Sequence, residues 1–209
     1  MEVILYLIIG YLIGSIPFGL IITQKAGLGD IRTIGSGNIG ATNVLRTGNK
    51  KLAILTLIAD MMKGFIPALI VLFYTARDYT FPGEEPSIIY GHTEALLIGF
   101  GAILGHCFSM WLKFKGGKGI ATAGGVLLAA VPLAGLLAAL CWIATAYFSR
   151  ISSLSALVAS AMAPVFTYFM YGSVPGAICV FIAALAFYKH RANIARLAKG
   201  EEPKIELKK

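Results

Sequence analysis

Lys113–Arg150 reads KFKGGKGIATAGGVLLAAVPLAGLLAALCWIATAYFSR, and the fold turns on how this stretch is divided. Residues 119–148 are apolar and long enough for one tilted helix across a hydrocarbon core of roughly 30 Å. Yet Lys113, Lys115 and Lys118 precede them and Arg150 follows them. Basic residues gather on the cytoplasmic side of multi-span proteins, so both ends belong on that side and the chain must go in and come back. Pro132 has no N–H to donate and marks the natural break near the middle. Two short spans are therefore expected, about 119–131 and 132–148, as a hairpin. The first is too short to cross fully unless it is distorted or the bilayer thins locally.

The same charge pattern holds outward from there. Of 18 Lys and Arg, all but Lys63 and Arg77 fall in four polar segments, 25–51, 112–118, 149–150 and 189–209. Long apolar runs separate them. One further polar segment, 77–87, sets Arg77 against Asp78, Glu84 and Glu85, with Pro82, Gly83 and Pro86 to break structure. Spans are expected at 3–24, 52–76, 88–110, 154–171 and 174–188 besides the hairpin. The predicted fold is all-α: a polytopic integral membrane protein of seven transmembrane helices, N-terminus out and C-terminus in, forming one domain over 1–209. Glu2 is the only early charge and Lys25 follows the first run, which favours that orientation. With no basic n-region and no small-x-small site after it, the first run does not read as a cleavable signal. The chain contains Gly10-x-x-x-Gly14 and Gly101-x-x-x-Gly105, spacings that let helix backbones approach closely in lipid.

Composition narrows the function. At 57% hydrophobic residues and a mean hydropathy of +0.79, this is no ordinary soluble domain. The net charge of +8 is accounted for by topology, so nucleic acid is not an expected partner. Cys107, Cys141 and Cys179 stand singly, which supports neither a zinc site nor a disulfide framework. Cys107 follows His106, but adjacent helical residues point about 100° apart, so a Cys–His dyad is not expected.

Five segments could carry chemistry. In Gly35-Ser36-Gly37-Asn38-Ile39-Gly40-Ala41-Thr42-Asn43-Val44-Leu45-Arg46, three glycines let the backbone bend and expose amides. A helix starting near Gly40 would put Thr42 and Arg46 one turn apart, with Asn43 beside them. That set suits an oxyanion or a phosphate; the plainer alternative is a capped helix after an Asx turn. In Gly105-His106-Cys107-Phe108-Ser109 and Lys113-Phe114-Lys115-Gly116-Gly117-Lys118-Gly119, Lys113 and Lys115 read as a lipid-attracted cluster. Lys118, flanked by glycines, could approach a ligand beside open amides, and His106 is either a ligand or a satisfied interfacial histidine. The spacing is not that of a Walker A loop. Ser149-Arg150-Ile151-Ser152-Ser153 could bind phosphate oxygens or cap the next span. His190, Asn193 and Arg196, at i, i+3 and i+6, share a helix face that is either a site or a basic anchor. Asp60 and Lys63 lie inside a span, where charges must pair or face a polar interior, and i, i+3 spacing lets them bridge.

Taken together these segments resemble one family, the bacterial membrane acyltransferases that transfer a fatty acyl group from acyl phosphate to glycerol 3-phosphate. The resemblance is carried in order by Ser36-Gly37-Asn38-x-Gly40-x-Thr42-Asn43-x-x-Arg46, by Gly105-His106-x-Phe108-Ser109 with Phe114–Gly119, by Ser149-Arg150-x-Ser152-Ser153, and by His190-x-x-Asn193-Ile194-x-Arg196-Leu197 followed by Gly200-x-Glu202. Gly14-Ser15-Ile16-Pro17 and Asp60-x-x-Lys63-Gly64 also fit. Ser109 stands where a proline is often expected. The resemblance implies seven spans in the bacterial plasma (inner) membrane and a site on the cytoplasmic side. It implies that acyl phosphate, rather than acyl-CoA or acyl carrier protein, is the direct donor, with no cofactor or metal. Ser36, Gly37, Asn38, Gly40, Thr42, Asn43, His106, Gly116, Gly117, Ser149, Ser152, Ser153 and Asn193 are then expected to bind substrate. Arg46, Lys118 and His190 are expected to be catalytic.

Both substrates would be phosphorylated, so basic side chains must offset their repulsion before reaction. An acyl phosphate is already activated, and the protein need mainly align the glycerol hydroxyl and stabilise the developing oxyanion. No serine has a clear base beside it, so direct transfer is expected, with His190 or the donor phosphate accepting the proton. An organophosphate transporter is the rival reading, supported by Asp60, Lys63 and the Pro132 break. A lipid-binding scaffold is a second, and a metal-dependent phosphotransferase is disfavoured by the lack of clustered carboxylates.

Overall fold

The computed structural model describes residues 2–78 and 88–205, so the expected outer turn of 77–87 lies almost wholly outside the described residues. Every regular element among them is helical: α1 Glu2–Gly14, α2 Phe18–Lys25, α3 Ala41–Leu45, α4 Lys50–Asp78, α5 Ile88–Cys107, α6 Ile120–Ala130, α7 Pro132–Ser149, α8 Ser152–Tyr171, α9 Ser173–Lys189 and α10 Arg191–Ala198, with short 3-10 turns at Ile31–Thr33 and Met110–Leu112. The chain forms two compact units, one ending at Ala130 and the other beginning at Val131.

The break expected at Pro132 is present. α6 ends at Ala130, Val131 leaves helical geometry at φ −139° and ψ 69°, and Pro132 opens α7. Proline suits the first turn, where its missing N–H would have no partner anyway. The helix expected over 3–24 is interrupted, however. α1 stops at Gly14 and α2 starts at Phe18, because Pro17 cannot donate back to Ile13. Pro17 is the local mark of the break, and the apolar residues on both sides of it favour reading one span.

Among the described residues, five helical stretches are long and apolar enough to cross a membrane: Glu2–Lys25, Lys50–Thr75, Gly91–Leu112, Pro132–Ser149 and Ser152–Tyr171. α9 and α10, bent by 64°, make a sixth if taken as one span. α6 has 11 residues, and at about 1.5 Å per residue it falls well short of the hydrocarbon core.

In the first unit α1 packs on α5, and α4 packs on both α5 and α6. The two GxxxG spacings meet each other. A Cβ on Gly10 or Gly14 would collide with backbone of Ile98 or Ala102, and one on Gly101 or Gly105 with backbone of Leu7 or Tyr11. Close backbone approach replaces the hydrophobic drive that lipid removes. Gly14→Val is expected to destabilise by about 2 kcal/mol, since overpacking against backbone finds no flexible end to move. Thermal unfolding in detergent reads this out. α2, the 31–45 segment and the start of α4 share a small core of Leu20, Ile31, Ile39, Val44 and Ala53. In the second unit α8 packs between α7 and α9.

Candidate active site

Three features shape the Gly35–Gly40 loop. Gly35 and Gly37 have φ of 56° and 67°, a region glycine enters without steric cost. Ile39 is 3% exposed and anchors the loop in the core. Asn43, 1% exposed, acts as a peg from α3. Its Nδ2 donates to Ile31 O at 2.7 Å and Asn38 O at 2.8 Å, and its Oδ1 accepts from Ser36 N at 3.1 Å and Ser36 Oγ at 3.3 Å. Asn43, read from the sequence as a substrate ligand, thus has its amide turned inward to hold the loop. Asn38 Oδ1 accepts from Ile39 N, and Gly37 N donates to Ile34 O. The amides of Ser36, Gly37 and Ile39 are therefore used inside the loop.

What the loop turns outward is side chain. Ser36, Gly37, Thr42 and Arg46 are exposed, while Asn38 and Gly40 are half-buried. Helix α3 does start after Gly40, as the sequence suggested. The Arg46 side chain lies over Gly35, where an added Cβ would come within 2.7 Å of its Cδ and 3.0 Å of a guanidinium nitrogen. Among the described residues no carboxylate pairs with Arg46, whereas Arg32 is held by Asp30. That pairing also lowers the Asp30 carboxyl below its usual range, through the Arg32 hydrogen bonds.

The second loop folds onto the end of α5. Gly117 N donates to His106 O at 3.0 Å and Gly116 N to Cys107 O at 3.3 Å. These bonds satisfy carbonyls that a helix end leaves open. The two amides are thus committed to α5, where the sequence reading had them open to a ligand. A Cβ on Gly116 would strike His106 O, and one on Gly117 would strike the His106 ring. His106 is 4% exposed. Lys113 and Phe114 carry positive φ of 50° and 62°, and Gly119 79°, so the turn is tight at both ends. Lys118 is half-buried within it, while Lys113 and Lys115 are exposed.

Ser109, the departure from the family pattern, has a defined task. Its hydroxyl donates to Ser15 O at 2.6 Å, and the neighbouring Phe108 O accepts from Tyr11 Oη at 2.7 Å. Ser15 O lies at the α1–α2 break, and a proline could not supply that hydrogen. Ser109→Ala is expected to cost about 1–2 kcal/mol by stranding a buried carbonyl, measurable as a lower melting temperature.

The second unit holds the other candidates. Ser149 Oγ donates to Thr145 O at 2.6 Å and accepts from Ile151 N at 3.1 Å, closing the end of α7. Ser152 is half-buried, and no side chain caps α8. His190 is 2% exposed, and its Nδ1 lies 2.7 Å from Ala186 O. A carbonyl only accepts, so Nδ1 carries the proton and Nε2 is the basic nitrogen of the neutral ring. Asn193 and Arg196 do share a face, as their spacing implied, and what they meet is Glu202. Its Oε1 accepts from Ser153 Oγ at 2.7 Å and Asn193 Nδ2 at 2.6 Å, and its Oε2 from Arg196 Nε at 2.7 Å. Its side chain is only 7% exposed. Burial alone would push the Glu202 carboxyl up; the Asn193, Ser153 and Arg196 bonds outweigh that and hold it below its usual value. The sequence named Glu202 only as part of a motif. Glu202 is one of three glutamates in the basic tail, with Glu201 and Glu206, so residue type alone does not single it out.

A groove of about 470 Å³ runs along the first unit between α1, α2 and α4. Tyr6, Ile13, Ile66 and Ile70 line it, and Lys63 is the one charged residue on its wall.

Helices of this length and composition, carrying exposed basic loops, define a multi-pass integral membrane protein. Comparison with solved structures agrees. The fold matches the crystal structure of PlsY (YgiH), an integral membrane glycerol 3-phosphate acyltransferase, in its glycerol 3-phosphate form with a TM-score of 0.85 at 35% identity, covering 99% of this chain and 96% of that one. The lysophosphatidic acid form of PlsY matches with a TM-score of 0.83 at 35% identity, covering 98% and 95%. The family described as Glycerol-3-phosphate acyltransferase matches residues 4–200. A glycerol-3-phosphate acyltransferase of Brucella ovis is 50% identical over 202 residues, 97% of this chain and 92% of its own length. One from Agrobacterium fabrum is 49% identical over 198 residues, 95% and 89%. The chain belongs to the glycerol-3-phosphate acyltransferase family and is an acyltransferase.

Proposed function

We propose that the protein transfers a fatty acyl group from acyl phosphate to the sn-1 hydroxyl of glycerol 3-phosphate, giving 1-acylglycerol 3-phosphate and phosphate. The glycerol oxygen attacks the carbonyl carbon, the bond from that carbon to the bridging oxygen breaks, and phosphate leaves with the bridging oxygen. The hydroxyl proton passes to the departing phosphate or to His190 Nε2. No acyl-enzyme forms, and neither acyl-CoA nor acyl carrier protein serves as direct donor. This is the first step of phospholipid synthesis.

The observation that carries the reading is the Arg46 guanidinium laid over Gly35 beside exposed Ser36, with no carboxylate pairing it among the described residues. A cation kept exposed and unneutralised beside a rigid turn suits a phosphate in bidentate contact. Ser36 and Thr42 add hydroxyls, and Lys118 brings a second cation from the 113–119 loop. The apolar groove of the first unit offers room for an acyl chain beside lipid. Solved relatives in glycerol 3-phosphate and lysophosphatidic acid forms support the choice of acceptor and product. His190, Asn193, Ser149, Ser152 and Ser153 take part in holding substrate, with Glu202 fixing Ser153 and Asn193. His106, Gly116 and Gly117 shape the turn that presents Lys118.

The proposed topology has seven spans, with α1–α2 as the first and the short α6 as the fourth. The N-terminus lies out, the C-terminus in, and the basic segments and the site at the cytoplasmic face of the bacterial plasma membrane.

The test is turnover by protein purified in detergent, supplied with acyl phosphate and glycerol 3-phosphate. Lysophosphatidate should form without a membrane partition; a transporter or a scaffold would form none. Mass spectrometry of protein quenched during turnover should find no acylated serine. A stable acyl-serine would contradict direct transfer.

A further inference from the structure

The buried pair Asp60–Lys63 has no part in the chemistry proposed above, and its surroundings suggest why it is there. The two side chains are 3% and 2% exposed and 2.8 Å apart. Removing two charges from water is expensive, and a well-packed apolar pair is often as stable or more so. Stability alone therefore does not account for the pair. Its contacts reach in two directions. Lys63 Nζ also donates to Ile16 O at 2.9 Å, a carbonyl at the break between α1 and α2. Irregular backbone at membrane depth persists only when its polar groups find partners. On the other side, Asp60 Oδ1 lies 3.6 Å from His106 Nδ1.

Each direction ends at one of the two basic loops of the first unit. α2 continues from the break, and Gly19 on it sits directly against Ile39 O, where no Cβ would fit. Ile39 belongs to the loop that carries Ser36. His106 supports the other loop, with its ring against Gly117, one residue before Lys118. α4 itself cannot drift at this level: a Cβ on Gly64 would meet Thr122 of α6, and one on Gly125 would meet Met61 O.

We infer that Asp60 and Lys63 are positioning residues: one ion pair sets the α2 break and the His106 ring together, and so holds the 35–40 and 113–119 loops in mutual register. This rests on the proposed function for its activity readout, and the test separates the two. The variants are Lys63→Met, Asp60→Leu and the double replacement, in full-length protein in detergent. Each single variant removes the closest counter-charge of a buried ion, leaving Asp60 only the more distant His106 or Lys63 only the Ile16 carbonyl, and should lower the melting temperature. The double variant should recover it, because no charge is left uncompensated. It should not recover turnover. kcat/KM should stay down by about a hundredfold, the scale of an atomic misplacement of about 1 Å. Hydrogen exchange should speed up in the double variant at 16–19 and at 113–119 and not in the body of α8. Lys63→Arg guards against loss of fold. A purely electrostatic pair predicts wild-type kcat for it wherever the protein stays folded, whereas positioning predicts a drop of about tenfold in the folded protein, since a planar fork does not reach Asp60 and Ile16 O as a compact ammonium does. Wild-type kcat/KM and wild-type exchange in the double variant, or wild-type kcat in Lys63→Arg, would overturn the inference. If wild-type protein itself fails to turn over, the functional reading falls, and the exchange pattern still decides this one.

Discussion

Arg46→Ala is expected to lower kcat/KM by about 10²–10³-fold while leaving the melting temperature within about 2 °C of wild type. The side chain is exposed and pairs with no carboxylate among the described residues, so little folding energy rides on it. Its value lies in the charge it offers to an oxyanion. Two phosphorylated substrates repel each other, and removing one cation raises the energy of the encounter and of the transition state alike. Arg46→Lys should recover only part of the loss, because a point charge does not reproduce two parallel N–H contacts on one phosphate. Steady-state kinetics with each substrate varied in turn would check this. A variant within threefold of wild type would remove Arg46 from the site.

Glu202→Ala should be the most damaging change for stability in the second unit, at about 3 kcal/mol. It strands two buried groups, Ser153 Oγ and Asn193 Nδ2, and frees Arg196. It also releases the tail from the 150 loop, where Ile205 N donates to Arg150 O at 2.6 Å. The sign of its pH dependence follows from the depressed carboxyl. Its stabilisation is fully present above the ordinary glutamate value near 4.5 and is lost as pH falls through the lower folded value. Wild type should therefore lose more stability on acidification below pH 4.5 than Glu202→Gln does. Thermal melts of both proteins across that range measure the difference. Parallel curves would mean that Glu202 is not ionised in the folded protein.

What was legible in the sequence was legible for local reasons. Pro132 lacks an N–H and stands midway between two basic ends, which marks it as the break, whereas Pro67 and Pro164 stay inside α4 and α8. Gly10, Gly14, Gly101 and Gly105 announce backbone contact by spacing alone, though not that they contact one another. Asp60 and Lys63 could be paired from a three-residue separation. What the sequence leaves unmarked has a different cause. The α1–α2 break is marked locally by Pro17, but the bonds that make it tolerable come from Lys63 and Ser109, 47 and 94 residues away. Asn43 looks outward as a residue type and turns inward because Ile31 O and Asn38 O need its amide. Gly116 and Gly117 offer amides in principle, and the end of α5 takes them first. Glu202 gathers partners from 6, 9 and 49 residues away, which no periodicity encodes. Lipid-facing helices compound the problem. Their exposed faces are as apolar as their packed ones, so hydrophobic pattern does not mark the inside.

The donor is the point on which the account rests. Purified protein should be given glycerol 3-phosphate with one fatty acyl group presented in turn as acyl phosphate, acyl-CoA and acyl carrier protein thioester, and lysophosphatidate followed by mass spectrometry. Product should form from acyl phosphate alone, with one inorganic phosphate released per acyl group transferred. Product from either thioester at a comparable rate, or none from acyl phosphate, would contradict it.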